Sequence, residues 1–180
     1  MKFIILGCGS SMGVPRPDGF FGNCDPKNKK NYRSRCSGFI KTSYENILID
    51  TSPDLRHQLL GHKIKKIDKV LYSHMHGDQT HGINELRVYY LKQRKKINVY
   101  ADRETKKYLY KSFTYCFKDN IGYPSIMSLN NLKNLHNYND LTIESFPVDH
   151  GAVNSSLYII NKKCAYASDV SSIKKKYLNP

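Results

Sequence analysis

The stretch HMHGDQTHG, at positions 74–82, limits most strongly what this chain can fold into. It holds three histidines and an aspartate directly after the apolar segment DKVLYS, which predicts a buried strand. Side chains alternate along a strand with a period of two, so His74 and His76 point the same way and Asp78 continues the alternation. Imidazole is the commonest protein ligand for zinc, and carboxylate oxygens complete many catalytic sites. The stretch predicts a metal site, and its alternative is a polar loop with solvated histidines.

Two distant segments end in residues of the same kind. FPVDHG ends a predicted strand at His150, and the glycine behind it is expected to allow close approach of another backbone. YASDV ends another predicted strand at Asp169. Either residue alone would more often cap a helix or close a turn. Together with the first stretch, however, they favour one shared site at the carboxyl ends of several strands.

Composition narrows the class of protein. The chain has 180 residues, which fits a single domain over residues 1–180. No apolar stretch is long enough to cross a bilayer, and FIIL near the start is too short for a signal peptide, so we expect a cytoplasmic protein with no membrane partner. Five scattered cysteines without a CxxC pair favour reduced thiols over a disulfide framework or a thiolate zinc site.

The net charge of +14 has two interpretations. It could mark a surface that binds a polyanion such as RNA. Because the lysine runs are spread along the chain and lysine outnumbers arginine, a solvated basic surface is the favoured interpretation.

The hydrophobic pattern predicts strands at both ends of the chain and helices between them. The predicted strands are KFIIL, SGFIKT, NILIDT, DKVLYS, INVYAD, LTIESFPVDH, SSLYIIN and CAYASD, and the predicted helices are DLRHQLLGHKI, NELRVYYLKQRK and ETKKYLYKSFTYCFK. A doubly wound nucleotide-binding fold is disfavoured because the late strands are joined without helices. The opening GCGSSMG spaces its glycines too widely for a dinucleotide motif, and Pro15 and Pro17 block the helix that motif needs.

The motif HxHxD, the distant histidine and the later aspartate together resemble the metallo-β-lactamase superfamily. GCGSSMGVPRP, GNCDPKNKKNYRSRCS, DTSPDLRHQLL and HGINELR are further similar to one branch of it. That branch includes the cyclic-phosphate phosphodiesterase of bacterial phosphonate breakdown and is close to the tRNA 3′-end endonucleases. The resemblance implies an α/β (α+β) fold, a four-layer αββα sandwich with a two-metal site at the edge between its sheets.

The resemblance also implies a role for each candidate residue. His74, His76 and His150 match the three ligands of the first metal ion, and Asp169 matches the carboxylate that bridges two metal ions. Asp78 matches the acidic ligand of the second metal ion, and as the catalytic residue it would orient the attacking hydroxide and take its proton. His81 is not expected to be a ligand.

This sequence departs from the superfamily pattern at two places. Gln79 occupies the position at which the superfamily has a histidine ligand of the second metal ion. A neutral amide binds zinc weakly. The chain ends at Pro180, whereas relatives continue to a final metal-binding histidine, so the C-terminal part is expected to be truncated. We therefore expect one firmly bound Zn²⁺ and an impaired second site, with Mn²⁺ as the alternative metal.

These expectations favour a metal-dependent hydrolase, a phosphodiesterase that uses a zinc-bound hydroxide on a small phosphodiester substrate. The first alternative is an RNA-processing endonuclease of the tRNA 3′-end type, with RNA as its partner. The second is a non-catalytic remnant that binds one metal ion. A homodimer is an alternative to a monomer, because relatives often dimerise.

Overall fold

Two β-sheets form the framework of the computed structural model, which describes residues 1–135 and 141–177. Six strands form the first sheet in chain order: β1 (Lys2–Gly7), β2 (Ser37–Lys41), β3 (Asn46–Ile49), β4 (Lys69–Leu71), β5 (Ile97–Ala101) and β6 (Met127–Asn131). The second sheet is antiparallel and holds β7 (Ile143–His150), β8 (Val153–Ile160) and β9 (Cys164–Tyr166).

Five α-helices lie between the strands of the first sheet. They are α1 (Leu55–Gly61), α2 (Gly77–Thr80), α3 (Arg87–Gln93), α4 (Arg103–Ser112) and α5 (Thr114–Phe117). Short 3₁₀ turns occupy Lys29–Asn31, Ile83–Leu86, Leu132–Asn134 and Lys175–Tyr177. Among the described residues, no helix combines the length and the apolar composition that crossing a bilayer requires.

The first sheet is mixed, and its parallel half determines where the site lies. β1, β2 and β3 pair antiparallel, whereas β3, β4, β5 and β6 run parallel. Parallel strands need crossover connections, and helices supply them here. The carboxyl ends of β3, β4 and β5 therefore meet at one edge of the sheet.

Both faces of the first sheet are covered, because neighbouring residues of one strand belong to different apolar cores. On β2, Phe39 packs in the core under α1, α3, α4 and α5, while Ile40 packs in the core between the two sheets. A sheet that is buried on both faces needs nearly continuous apolar strands. The run GFI in β2 and the run ILI in β3 satisfy this requirement.

The second sheet also packs on two sides. Tyr158 and Ile160 of β8 lie in the core between the sheets, whereas Leu157 and Ile159 face away from it. Within residues 141–177, Phe146, Ile173 and Tyr177 pack against this outward face. The order of layers is thus helices, the first sheet, the second sheet and a thin outer cover.

The eight predicted strands are present, and the structure adds one that the pattern missed. β6 carries Met127 and Leu129 between polar residues, and it pairs in parallel with β5. The predicted helix over residues 104–118 breaks at Phe113, whose backbone (φ −128°, ψ 40°) is not helical. In α1, Leu55 and Leu59 are buried as expected, while Leu60 lies on the exposed face.

Candidate metal centre

Three histidines meet where β4 ends and where β7 turns into β8. His74 Nε2 lies 3.0 Å from His76 Nδ1, and His150 Nε2 lies 3.3 Å from the same His76 nitrogen. Among the described residues, these three side chains form the group whose ligand atoms all lie within 4.8 Å of one another. Nitrogens about 2.0–2.1 Å from a tetrahedral zinc ion stand roughly 3.3 Å apart. The three rings therefore fit a single metal ion without rearrangement of the chain.

A hydrogen-bond chain determines which nitrogen of His74 is free. Ser73 Oγ donates to Asp50 Oδ2 at 2.8 Å and lies 3.0 Å from His74 Nδ1. Because the serine hydrogen goes to the carboxylate, the serine oxygen accepts from Nδ1–H, and it also accepts from Ser168 Oγ. His74 Nε2 then keeps its lone pair for a metal ion.

Burial keeps His74 neutral. Removal from water, and next to it the charges of His76 and His150, lowers the pKa of His74 to about 4. A neutral imidazole is the form that binds a metal ion, so no proton has to leave His74 near neutral pH.

Asp50 was missed at the sequence level, although it is central to this chain of hydrogen bonds. Its backbone has a left-handed φ of 60°, and its carboxylate also accepts from the backbone nitrogen of Ser73 at 2.7 Å. Burial raises the pKa of Asp50 to about 7. The sequence could have indicated Asp50 by its position, because it follows the apolar strand NILI directly and begins the polar run DTS.

The two acidic residues lie beside the histidines and are joined through Gln79. The side-chain nitrogen of Gln79 donates to Asp78 Oδ2 and to Asp169 Oδ2, each at 3.0 Å. Asp169 Oδ2 also lies 3.6 Å from His74 Nε2. Burial, and next to it the charge of Asp78, raises the pKa of Asp169. All five residues that the sequence indicated thus lie at one place.

His81 points elsewhere. Its Nε2 lies 3.0 Å from the hydroxyl of Tyr108, and its ring packs edge-on against Phe113. The third histidine of the motif is therefore used in helix packing.

Gly151 forms the turn that carries His150, which corrects the expected role of this glycine. It has a left-handed φ of 58°, and no atom would lie within 4 Å of a Cβ added to it. His150 pairs with Val153 across a two-residue turn, and such turns favour glycine at positions with positive φ. The glycine therefore provides a backbone conformation and not room for another segment.

Among the described residues, the cysteines form no cluster with His74, His76 and His150. Within the described residues all five thiols are free. Burial, followed by the charge of Asp169, raises the pKa of the Cys36 thiol to about 11. This thiol is protonated near neutral pH in the metal-free chain.

A cavity of about 510 Å³ lies between the first long loop and the start of α1. The residues that line it belong to the first long loop and to α1: Met12, Gly13, Val14, Pro15, Pro17, Tyr32, Arg33, Ser34, Arg35, Asp54 and His57. Arg35 donates two hydrogen bonds to Asp54, at 2.9 and 2.6 Å. That carboxylate is the main cause that raises the pKa of Arg35, and the charge of Asp78 contributes to it. Arg35 thus lines the cavity and lies within electrostatic range of Asp78.

Two packed sheets flanked by helices, with histidines and carboxylates at the strand ends, define a metallo-β-lactamase domain. The sequence matches the family model of the beta-lactamase superfamily domain over residues 45–179, and the chain belongs to this family. The family that the motifs indicated is confirmed.

Two curated relatives are similar to this chain over part of their own length. It is 32% identical over 178 residues to an octanoyltransferase of Porphyromonas gingivalis, a match that covers 96% of this chain and 35% of that protein. It is 26% identical over 139 residues to ribonuclease Z of Staphylococcus epidermidis, covering 73% of this chain and 45% of that one. The chain thus spans between about a third and half of the length of these curated relatives.

A solved structure supports the predicted branch. The crystal structure of a diphosphatase from the PhnP family superimposes with a TM-score of 0.79 at 28% identity, over 97% of this chain and 67% of that one. The α/β fold with two packed sheets is therefore confirmed.

Proposed function

We propose that this chain is a metal-dependent hydrolase of phosphodiester bonds, in which His74, His76 and His150 hold one metal ion. The single observation that carries the proposal is the convergence of three ring nitrogens, at 3.0 and 3.3 Å from one to the next. Imidazole donors favour zinc over manganese or magnesium, so we propose Zn²⁺ as the resident ion and Mn²⁺ as the alternative. Residues 1–180 would act as one domain.

A metal ion held by the three histidines would supply Lewis-acid chemistry: it would lower the pKa of a water molecule to about 7 and stabilise negative charge on phosphoryl oxygens. Asp78 supplies the base. One of its oxygens accepts from Gln79, and within the described residues no hydrogen bond occupies the other. That second oxygen can orient the attacking water and accept its proton.

Asp169 and the chain from Asp50 through Ser73 hold the geometry. Asp169 lies beside the His74 nitrogen, and Asp50 fixes the tautomer of His74 through Ser73. The cavity beside Arg35 would hold the part of the substrate that does not react. Arg33 lines this cavity, and its guanidinium has no hydrogen bond or ion pair within residues 1–135 and 141–177, so it is available to an anionic group.

The test is cleavage of bis(p-nitrophenyl) phosphate by purified protein. We expect activity that a chelator abolishes and that added zinc restores. His150→Ala should lose both bound metal and activity, whereas His81→Ala, which removes a histidine of the same motif outside the cluster, should retain both. Protein that binds zinc but never cleaves the ester would contradict the proposal and favour a non-catalytic metal-binding remnant.

A second candidate function is endonucleolytic processing of RNA, which the similarity to ribonuclease Z and the charge of +14 favour. Binding through phosphate contacts weakens steeply as salt rises. For single strands, the logarithm of the binding constant falls with the logarithm of the salt concentration with a slope of about −0.7 per neutralised phosphate. Binding of a tRNA precursor should therefore be measured between low and physiological salt. This function would be excluded if binding of the tRNA precursor did not change with salt. It would also be excluded if the protein cleaved small diesters but not the precursor.

A further inference from the structure

We infer that the Gln79 amide occupies the position of a second metal ion, so that the centre of this chain holds one metal ion. The inference rests on the metal ion proposed for the three histidines, and it goes beyond it by stating what holds the acidic half of the centre. The resemblance to two-metal enzymes implied a second ion at this place, and the residues present do not fit that ion.

The geometry around the amide carries the inference. Gln79 is completely buried, and its one side-chain nitrogen reaches both Asp78 Oδ2 and Asp169 Oδ2 at 3.0 Å. These two carboxylates are the ones that a second cation would have to bind together. An amide nitrogen offers two N–H donors and no lone pair for a metal ion. Two hydrogen bonds from one atom therefore make the link that a cation makes in a two-metal centre.

The orientation of this amide follows from its neighbours. If the amide were reversed, its oxygen would face two carboxylate oxygens, and no hydrogen would lie between them. In the observed orientation, the buried oxygen of Gln79 has no hydrogen-bond partner among the described residues. An unpaired buried acceptor is unfavourable. The side chain is thus held at its nitrogen end, by the two carboxylates.

The backbone of Gln79 is fixed as well. Its carbonyl accepts from the backbone nitrogen of Thr51 at 2.7 Å, and its own nitrogen donates to the carbonyl of His76 at 3.1 Å. A second cation would have to break both amide–carboxylate bonds and move a completely buried side chain on a fixed backbone. Only a replacement at position 79 removes this obstacle.

The same bonds make Gln79 a positioning residue for the first metal ion. Asp169 lies 3.6 Å from the free nitrogen of His74, and Gln79 holds the carboxylate there. Loss of the amide should therefore loosen Asp169 and weaken the first metal ion, by about 10- to 100-fold if it acts as other residues that orient ligands do.

The experiment is a titration of metal-depleted protein with Co²⁺, followed by visible absorption, with zinc stoichiometry from native mass spectrometry. We expect one equivalent in the unaltered chain and two in Gln79→His. Gln79→Met, which keeps an unbranched side chain of similar length, should bind one equivalent more weakly. Gln93→His is the matched control. Gln93 also has a buried amide oxygen without a partner among the described residues, but it lies outside the centre, and its amide nitrogen donates to the carbonyl of Ile67.

Two equivalents in the unaltered chain, or one in Gln79→His, would overturn the inference. Unchanged metal affinity in Gln79→Met would overturn the positioning role. Metal stoichiometry separates these failures from failure of the proposed function. One equivalent without diesterase activity contradicts the proposed function alone, whereas activity with two equivalents in the unaltered chain contradicts this inference alone.

Discussion

Ser73 connects the buried carboxylate of Asp50 to His74, a proposed metal ligand, although its own side chain would not bind the metal. Its hydroxyl donates to Asp50, and its oxygen accepts from Ser168 and from His74 Nδ1–H. The hydrogen-bonding capacity of the hydroxyl is therefore fully used. Such partners of a ligand fix its tautomer and the orientation of its ring.

Ser73→Ala is therefore expected to weaken zinc binding by about 10- to 100-fold, because His74 loses the acceptor that fixes its tautomer. Zinc affinity can be measured by competition with a chromophoric chelator. Ser128→Ala is the control, since Ser128 Oγ makes a similar bond to Asn98, between β6 and β5 and outside the group of residues at the centre. Equal affinity in Ser73→Ala and the unaltered chain would show that the tautomer needs no such support.

The pKa shifts of His74 and Asp50 predict opposite effects of pH on the metal-free protein. The pKa of His74 is lowered to about 4, so the unfolded chain binds its proton more readily and His74 makes the fold less stable as pH falls from about 6.5 to 4. The pKa of Asp50 is raised to about 7, so the folded chain keeps the proton longer and Asp50 makes the fold less stable as pH rises from about 4 to 7.

Asp50→Asn removes the second effect, and asparagine tolerates the left-handed backbone at this position. The free energy of unfolding of this variant should therefore fall more steeply toward acid than that of the unaltered chain. Urea unfolding in the presence of a chelator, at several pH values between 4.5 and 6.5, measures both slopes. Parallel slopes would contradict the shift assigned to Asp50.

The hairpin of β7 and β8 brings the most distant histidine to the centre. His150 ends β7, and the turn behind it depends on the left-handed φ of Gly151. An alanine at such a position costs roughly 1–2 kcal/mol. The position of His150 is thus determined by a backbone conformation in the next residue.

Gly151→Ala should lower the free energy of unfolding by about 1 kcal/mol and weaken zinc binding, because the turn that presents His150 is strained. Gly61→Ala is a matched control: both glycines have open space where a Cβ would stand, but Gly61 ends α1 without a positive φ. It should be neutral or stabilise the protein by up to about 1 kcal/mol. Chemical denaturation and zinc titration of both variants measure the two effects. Equal losses of stability and of zinc affinity in the two variants would contradict this explanation.

The sequence predicted elements better than it predicted contacts between them. Short apolar runs and apolar alternation located eight strands, because both are local properties of the sequence. β6 was missed because Ser128 and the asparagines at its end weaken the apolar pattern, and only pairing with β5 makes it a strand. The bond from Gln79 to Asp169 joins residues 90 positions apart, so its existence depends on how the two sheets meet.

At the scale of the whole molecule, hydrogen bonds join the two sheets next to the candidate metal centre. Tyr158 of β8 donates its hydroxyl to the carbonyl of Tyr72 at 2.7 Å, and the backbone nitrogen of Ser156 donates to the carbonyl of Ser73 at 2.8 Å. Both bonds reach the segment between β4 and His74. The packing of the sheets and the geometry of the site are therefore set by the same contacts.

Tyr158→Phe should lower the free energy of unfolding by about 1–3 kcal/mol, because it leaves the buried carbonyl of Tyr72 without its partner. Tyr44→Phe, which removes the hydroxyl of an exposed tyrosine, should change stability little. Thermal and urea unfolding give the comparison. A loss below ~0.5 kcal/mol would mean that another donor replaces the hydroxyl.

The bridge from Gln79 to its two carboxylates has a consequence for cells in which zinc becomes scarce. A chelator can remove an ion from a protein, but it cannot remove a side chain. A centre whose acidic half is joined by a covalently attached amide keeps that half assembled during metal starvation, and it needs one ion instead of two to become complete again. Recovery after zinc is restored should then depend on the first power of its concentration.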